Sequence, residues 1–450
     1  GGGIAASVPF FAMKFLVDYP RVKLYKESQL EWLRDDRGLP FWTYDAPYLL
    51  RDKAWLNGWG SRMLRSFGVA KLSVVDVRDC YPQNVDGTCP GHEGGRKNHV
   101  WRQMEESELY RAAATRRQLE AALTDFWFNH FSVTGSVGQQ KWNTPSYLRD
   151  SIRPWVLGNF EEAVLRMTRG PAMLDYLDQR LNQVGVPPGT GYNENFSREL
   201  LELHTMGVTA PYTENDVKEV ARALTGCRQE WNNEANFAPG YPGFRYQDSW
   251  HDYLEPKTIL GQVVNSGGEQ EGFDAIALAV AHPSTATFIC TKMVRRFVAD
   301  DPPYALVESC AEAFTASLGD SDQLRQVLAG ILTSKEFQLY PEYRRNKVKR
   351  PVVFLASALR ALAVDPDPAV TDYQDMRQTL ADLGERIRNA DPPTGYSDRS
   401  IFWASPGGMI QRFNLVESFV KNAAAAWGIS GAQPHGDIVD DVAAVVLPVT

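Results

Sequence analysis

The chain has 450 residues, of which 44% are hydrophobic and 23% charged, with a formal net charge of −8 and a pI near 5.5. That make-up is expected of a soluble globular protein long enough to bury a sizeable core, and its acidity argues against duplex nucleic acid as a partner. No run approaches the ~20 consecutive apolar residues of a membrane span; the nearest, Ile4 to Val17, is broken by Pro9 and Lys14.

From the start, Gly1-Gly2-Gly3-Ile4-Ala5-Ala6-Ser7 lacks methionine and suits a processed N-terminus of the kind that flanks an export signal. Residues 1–104 form an irregular, aromatic-rich region carrying Trp32, Trp42, Trp55, Trp59 and Trp101, which are expected in the core rather than stacked on a ligand. A helical domain is expected over 105–430, compact with that region, and a tail over 431–450. Glu105 to Phe131 reads as one long helix whose stripe of Leu119, Leu123, Phe126 and Trp127 turns His130 inward. Short helices fit Phe160 to Met167 and Met173 to Asp178.

Thr213 and Asp216 have the spacing of a capping box, and Val217, Val220, Ala221 and Leu224 form a stripe that stops at Gly226. From Arg228 to Val264 the helical period is lost, and a small β-hairpin or ordered loop is expected. Helical periodicity returns over Asp274 to Val280, Ser284 to Phe297, Pro303 to Leu318, Ser321 to Thr333, Pro351 to Ala363, Tyr373 to Arg388 and Met409 to Trp427. The fold class is therefore mainly α: a large multi-helix domain with a small β-hairpin insertion and an irregular N-terminal region. His282 before Pro283 reads as a helix cap, and the basic run 344–350 as a solvated or ion-paired connector. His92, His99 and His435 read as incidental.

Five cysteines are too few for a disulfide framework. Two pairings are compatible with the chain, Cys80 with Cys89 across a turn and Cys290 with Cys310 across two helices, leaving Cys227 over. Five reduced thiols is the competing reading.

Residues 193–208 place Glu194, Glu199, Glu202, Arg198 and His204 in what otherwise reads as a buried helix. At 100° per residue Phe196, Leu200, Leu203 and Gly207 share one face, Glu199 and His204 flank it, and Arg198 and Glu202 lie opposite with Thr205. Charges in such a helix must be paired or bound. With His130 and the His251-Asp252 pair, imidazoles and carboxylates suffice for a divalent metal: His130, Glu199, Glu202, His204 and His251 as ligands, with Glu194, Glu199, Glu202 and Asp252 as acid–base groups. The competing reading is an internal polar network in which Arg198 neutralises Glu202. Neither His-Glu-x-x-His nor the Glu-x-x-His of di-iron bundles occurs, and serine-hydrolase, P-loop, dinucleotide and haem-attachment motifs are missing too.

The run 193–204, followed by Tyr212 to Val217 and Glu219 to Gly226, resembles the signature of the bacterial domain-of-unknown-function 1800 family. Further blocks agree in order: Phe126 to Phe131, His251-Asp252 before Lys257, Ala281 to Ala286, Arg295 to Val298, Lys347 to Pro351, Pro392 to Tyr396, Trp403 and Arg412 to Asn414. Val353 departs from the glutamate usual after the Lys-Arg-Pro run, and Glu385 from the glutamine usual after Gly384. The resemblance implies a mainly helical protein, secreted or held in the periplasm or envelope, with a partner of a phosphatase-like or sulfatase-like family. Two functions stay open: a metal-assisted, hydrolytic enzyme, and a non-catalytic extracellular or envelope protein acting in assembly with a partner.

Overall fold

A computed structural model describes residues 67–426 except 86, 89–94, 96, 116, 136–137, 186–190, 266, 344–345 and 362–372. Trp32, Trp42, Trp55, Trp59, His92, His435 and the 431–450 tail lie outside the described residues. The longer helices, in order, are α1 (Lys97–Ala114), α2 (Gln118–His130), α3 (Phe160–Thr168), α4 (Glu214–Ala223), α5 (Glu269–Ala281), α6 (Pro283–Phe297), α7 (Tyr304–Ala316), α8 (Gln323–Thr333), α9 (Pro351–Ala361), α10 (Tyr373–Asp382) and α11 (Pro406–Ala426). The protein is mainly α, as the periodicity requires.

The expected long helix from Glu105 is two. Gln118 Nε2 donates to Thr115 O at 2.6 Å and to Ala112 O at 3.4 Å, and Arg117 N donates to Thr115 Oγ1 at 3.2 Å, turning the chain between α1 and α2. Helix α1 begins at Lys97, so it crosses the expected boundary at 104/105 and ties residues 67–81 to the rest through Val69, Val77, Val100 and Trp142. Trp101, Trp127 and Trp142 are all buried.

Helix α4 starts as its sequence dictates: Asp216 N donates to Thr213 Oγ1 at 3.2 Å and Thr213 N to Asp216 Oδ2 at 2.7 Å. Gly226 ends it at φ +91°, where a Cβ would meet Gln247 O at 2.9 Å. Two small antiparallel sheets occupy the non-helical stretch: β1 (Cys227–Gln229) on β2 (Phe244–Tyr246), Cys227 opposite Tyr246, and β3 (Lys257–Ile259) on β4 (Gln262–Val264). His282 caps α6, its Nδ1 accepting from Ser284 N at 3.1 Å. There α5 and α6 bend by 65°; among the described residues no single helix is long and apolar enough to cross a membrane, though this bent pair has the length and composition.

One apolar cluster runs from Trp101 through α2, α3, α4 and α5 to α8. A second joins Leu109 and Tyr110 of α1 to Val352, Leu355 and Leu359 of α9 and Leu380 of α10. Val353 packs in it; the glutamate usual there would be a buried charge in apolar surroundings.

Cys290 of α6 and Cys310 of α7 form a disulfide, Cα to Cα 5.7 Å. Cys80 is disulfide-bonded too, but its expected partner Cys89 lies outside the described residues, and Cys227 is a buried free thiol. With its two ends 20 positions apart in sequence, the α6–α7 bridge stabilises by roughly 3 kcal/mol through lost unfolded-chain entropy. Replacing both Cys290 and Cys310 by alanine therefore lowers the melting temperature by several degrees in calorimetry; an unchanged melt would refute that contribution.

Candidate functional site

The segment richest in sequence signal does not build one cavity. It runs as a helical turn over Asn195–Glu199 and then widens into a π-helical turn over Leu200–His204, with Gly207 N donating to Leu201 O at 3.0 Å. An extra residue in the turn shifts every later side chain round the axis. Hence the 100° spacing misplaces this end: His204 and Thr205 are fully buried, while Leu203, expected on the apolar face, is only partly covered.

Glu194, Glu199 and Glu202 lie at the surface rather than in an interior. Arg198 sits among Glu194 at 3.7 Å, Glu202 at 3.6 Å and Glu214 at the start of α4, which it grips with two bonds of 2.9 and 2.6 Å. The side chains of Glu194 and Glu202 keep 34% and 25% of their exposure, enough for water to screen the pairs. Partial burial and neighbouring Glu202 raise the Glu199 carboxyl above its ordinary value.

His130 and His204 do meet, but inside the apolar core. Their rings are 6.0 Å apart, among Phe126, Trp127, Phe131 and Phe288. His130 Nε2 lies 3.1 Å from His204 O, while His130 Nδ1 and both nitrogens of His204 are buried without a hydrogen-bond partner. Burial, then the charge of Lys292, pulls His204 down to about 3 and His130 well below its ordinary value. Both are neutral at pH 7.

His251 and Asp252 belong to a third place beside α4. His251 Nδ1 is 3.0 Å from Thr225 O and its Nε2 3.1 Å from Glu271 Oε2, which also takes the Lys257 ammonium. Asp252, fully buried, accepts from Arg222 Nε at 2.7 Å and Tyr192 Oη at 2.5 Å. These bonds join α4, α5 and β3, so the group works as a strut between them. The metal set His130, Glu199, Glu202, His204 and His251 is thus divided among three surroundings. No three His, Cys, Asp or Glu side chains among the described residues stand together as metal ligands.

The buried charges that do converge are elsewhere. Where α1, α2, the start of α9 and the 383–396 loop meet, a cleft is lined by Arg111, Arg153, Arg350 and Arg388 and by Glu108, Asp125 and Glu385. Glu108 accepts from Arg153 Nη2 at 2.6 Å and from Arg388 Nη2 at 2.9 Å. Asp125 accepts from Arg388 Nη1 at 2.7 Å, Arg296 Nη2 at 2.9 Å and Arg350 Nη1 at 3.2 Å. Glu385 binds Arg350 Nε at 2.9 Å and, through its other oxygen, Val352 N at 2.9 Å, where its charge also meets the positive end of α9. The 392–396 loop closes one wall: Asn129 donates to Tyr396 O at 2.8 Å and accepts from Tyr396 N at 2.7 Å. Gly395 is required there, because at φ +71° a Cβ would lie 2.2 Å from Asn129 O.

Burial alone would push these carboxyls up. Arg350, Arg388 and Arg296 overcome it at Asp125, and Arg153, Arg388 and Arg111 at Glu108, holding both at about 2. Arg111 is the under-compensated member. Burial and the like charge of Arg153 pull it down to about 9; Glu108 approaches its Nε only to 3.5 Å and its Nη2 is buried without a partner. Such a fork in low dielectric suits a carboxylate or another oxyanion.

The molecule is thus a helical protein with a guanidinium-rich cleft lined by residues of two of its apolar clusters. The family described as "Protein of unknown function (DUF1800)" matches residues 29–450, so the chain belongs to that family. No curated protein and no solved structure matches it.

Proposed function

We propose that this is an exported protein that binds an anionic ligand in the arginine cleft and works with a protein partner, so that it is a binding or assembly component rather than a metal hydrolase. The observation that carries the reading is Arg111, a buried guanidinium with an unfilled donor in a cleft where four arginines face three carboxylates. A metal mechanism through His130, Glu199, Glu202, His204 and His251 lacks a shared point at which an ion could be held. The α6–α7 disulfide favours an oxidising compartment and hence export. A phosphatase-like or sulfatase-like partner fits a division of labour in which the chemistry is the partner's.

Thermal melting of the full chain against chloride, acetate, sulfate, phosphate and citrate at constant ionic strength tests this. At least one oxyanion raises the midpoint by a few degrees, as ligand at about 100 times its Kd adds ~2.7 kcal/mol, and the rise disappears in Arg111→Met. The reading fails if no anion moves the midpoint while a chelator lowers it and divalent metal restores it.

A further inference from the structure

The outward face of the β1–β2 ribbon holds two arginines in register. Cys227 and Gln229 of β1 are buried, so Arg228 between them turns outward, and Arg245 of β2 lies directly opposite it. Facing positions bring their Cβ atoms to about 5 Å, and like charges there oppose the pairing of the strands. Arg228 is held over the Trp250 ring, 3.7 Å from its centre, and Trp250 is tied down by Val184 N, which donates to its carbonyl at 2.9 Å.

The nearby acids are committed elsewhere. Glu230 approaches Arg245 Nη1 only to 3.7 Å, while one of its oxygens accepts from Asn232 N at 2.9 Å and the other from Asn236 Nδ2 at 3.3 Å. Arg180, whose charge also reaches Arg228, has Asp175 at 2.8 Å and Asp178 at 3.8 Å. Among the described residues Arg228 has no ion pair, and Arg245 Nε is buried without a hydrogen-bond partner. Burial, then the like charge of Arg245, holds the Arg228 guanidinium below its ordinary value.

We infer that Arg228 and Arg245 form an open clamp for a tetrahedral oxyanion, a phosphate or sulfate group, free or esterified. A guanidinium presents its N–H groups as a planar fork; the two oxygens of a carboxylate fill one such fork, whereas a group with three or more oxygens can serve both. The Arg245 side chain is 36% exposed, so a dianion here keeps part of its hydration and is not a buried charge. The clamp shares no residue with the arginine cleft and does not depend on the reading of it. No bond is made or broken; the oxyanion replaces water on the two forks.

Isothermal titration calorimetry of the full chain with phosphate, sulfate, glycerol 3-phosphate and acetate, each at the same ionic strength, tests it. Phosphate or sulfate is expected to bind about tenfold more tightly than acetate, and Arg228→Met and Arg245→Met each weaken that binding about tenfold while leaving the thermal melt without anion near that of the wild type. Arg228→Lys, which keeps the charge but not the planar fork, restores only part of it. Glycerol 3-phosphate as tight as phosphate assigns the clamp to an esterified group, and weaker binding assigns it to the free ion. Acetate as tight as phosphate would overturn the tetrahedral class. Phosphate heats that vanish in Arg111→Met but persist in Arg228→Met and Arg245→Met would overturn the clamp and leave the cleft reading standing. No saturable heat from any of the four would overturn the clamp outright.

Discussion

Replacing Asp125 by asparagine lowers the unfolding free energy by about 3–5 kcal/mol. The side chains are nearly the same size, so packing is kept and the charge alone is removed. Asp125 is 5% exposed and receives Arg296, Arg350 and Arg388 within 3.2 Å. With a neutral amide in its place, whose NH2 cannot accept, three guanidinium groups crowd one oxygen. Arg350 keeps Glu385 and Arg388 keeps Glu108, so the cluster is weakened rather than dispersed. Urea denaturation of the two proteins, compared at the midpoint with a common slope, measures the effect. Adding Arg388→Met to Asp125→Asn costs less than the sum of the two single changes, because the double variant removes a charge that the first had stranded. A loss below about 1 kcal/mol would mean that water reaches these arginines freely and that the cleft is not a low-dielectric site.

That cluster was the part of the protein least legible from sequence, and the reason is distance along the chain. Glu108, Asp125, Arg153, Arg296, Arg350, Glu385 and Arg388 come from six separate segments, and no local period or spacing links Arg388 to Glu108, 280 residues apart. The one hint was the basic run 344–350, which reads as a connector; the structure gives its ion-paired form, with Lys347 on Asp300 at 2.6 Å and Arg350 buried between Asp125 and Glu385. Local features fared better, because local physics decides them. The capping box of Thr213 and Asp216, the His282 cap, the Cys290–Cys310 pairing and the non-helical stretch before Val264 all follow from residues near one another in sequence or on facing helices. Helix ends were less legible. Helix α10 stops at Asp382 rather than Arg388 because Gly384 turns the chain at φ +87° and frees Glu385 to reach Arg350. In the dense Asn193 to His204 signature a wheel drawn at 100° cannot anticipate the π turn over Leu200–His204, which misplaces Leu203 and His204, while Glu194 and Glu199 precede that turn.

The same π turn makes an acid-sensitive core. With both imidazoles held neutral, stability falls as pH drops below about 6.5, by on the order of 1.4 kcal/mol per pH unit for each ring. The sign follows from proton binding: the unfolded chain protonates His130 and His204 near 6.5, the folded chain does so at about 3 for His204 and well below 6.5 for His130. Between those values the unfolded state carries more protons, so acid favours it. The cleft carboxylates act in the same direction only lower, from about 4.5 down to about 2 for Glu108. Lys349, brought to about 7 by burial, acts only above that pH. Glu105, Glu161 and Glu199, raised by burial, oppose the trend just above 4.5, so the test is a difference between two proteins. Urea unfolding of wild type and His204→Phe at half-unit steps from pH 7 to 5 is expected to show parallel baselines but a slope smaller by one imidazole in the variant. Phenylalanine keeps the ring contacts with Phe131 and His130 and brings no buried nitrogen, so its stability is nearer to the wild type at pH 7 than at pH 5 only in the variant's favour. Superimposable slopes would show that His204 is protonated or hydrated in the folded protein, and the unpartnered nitrogens would then have to face water.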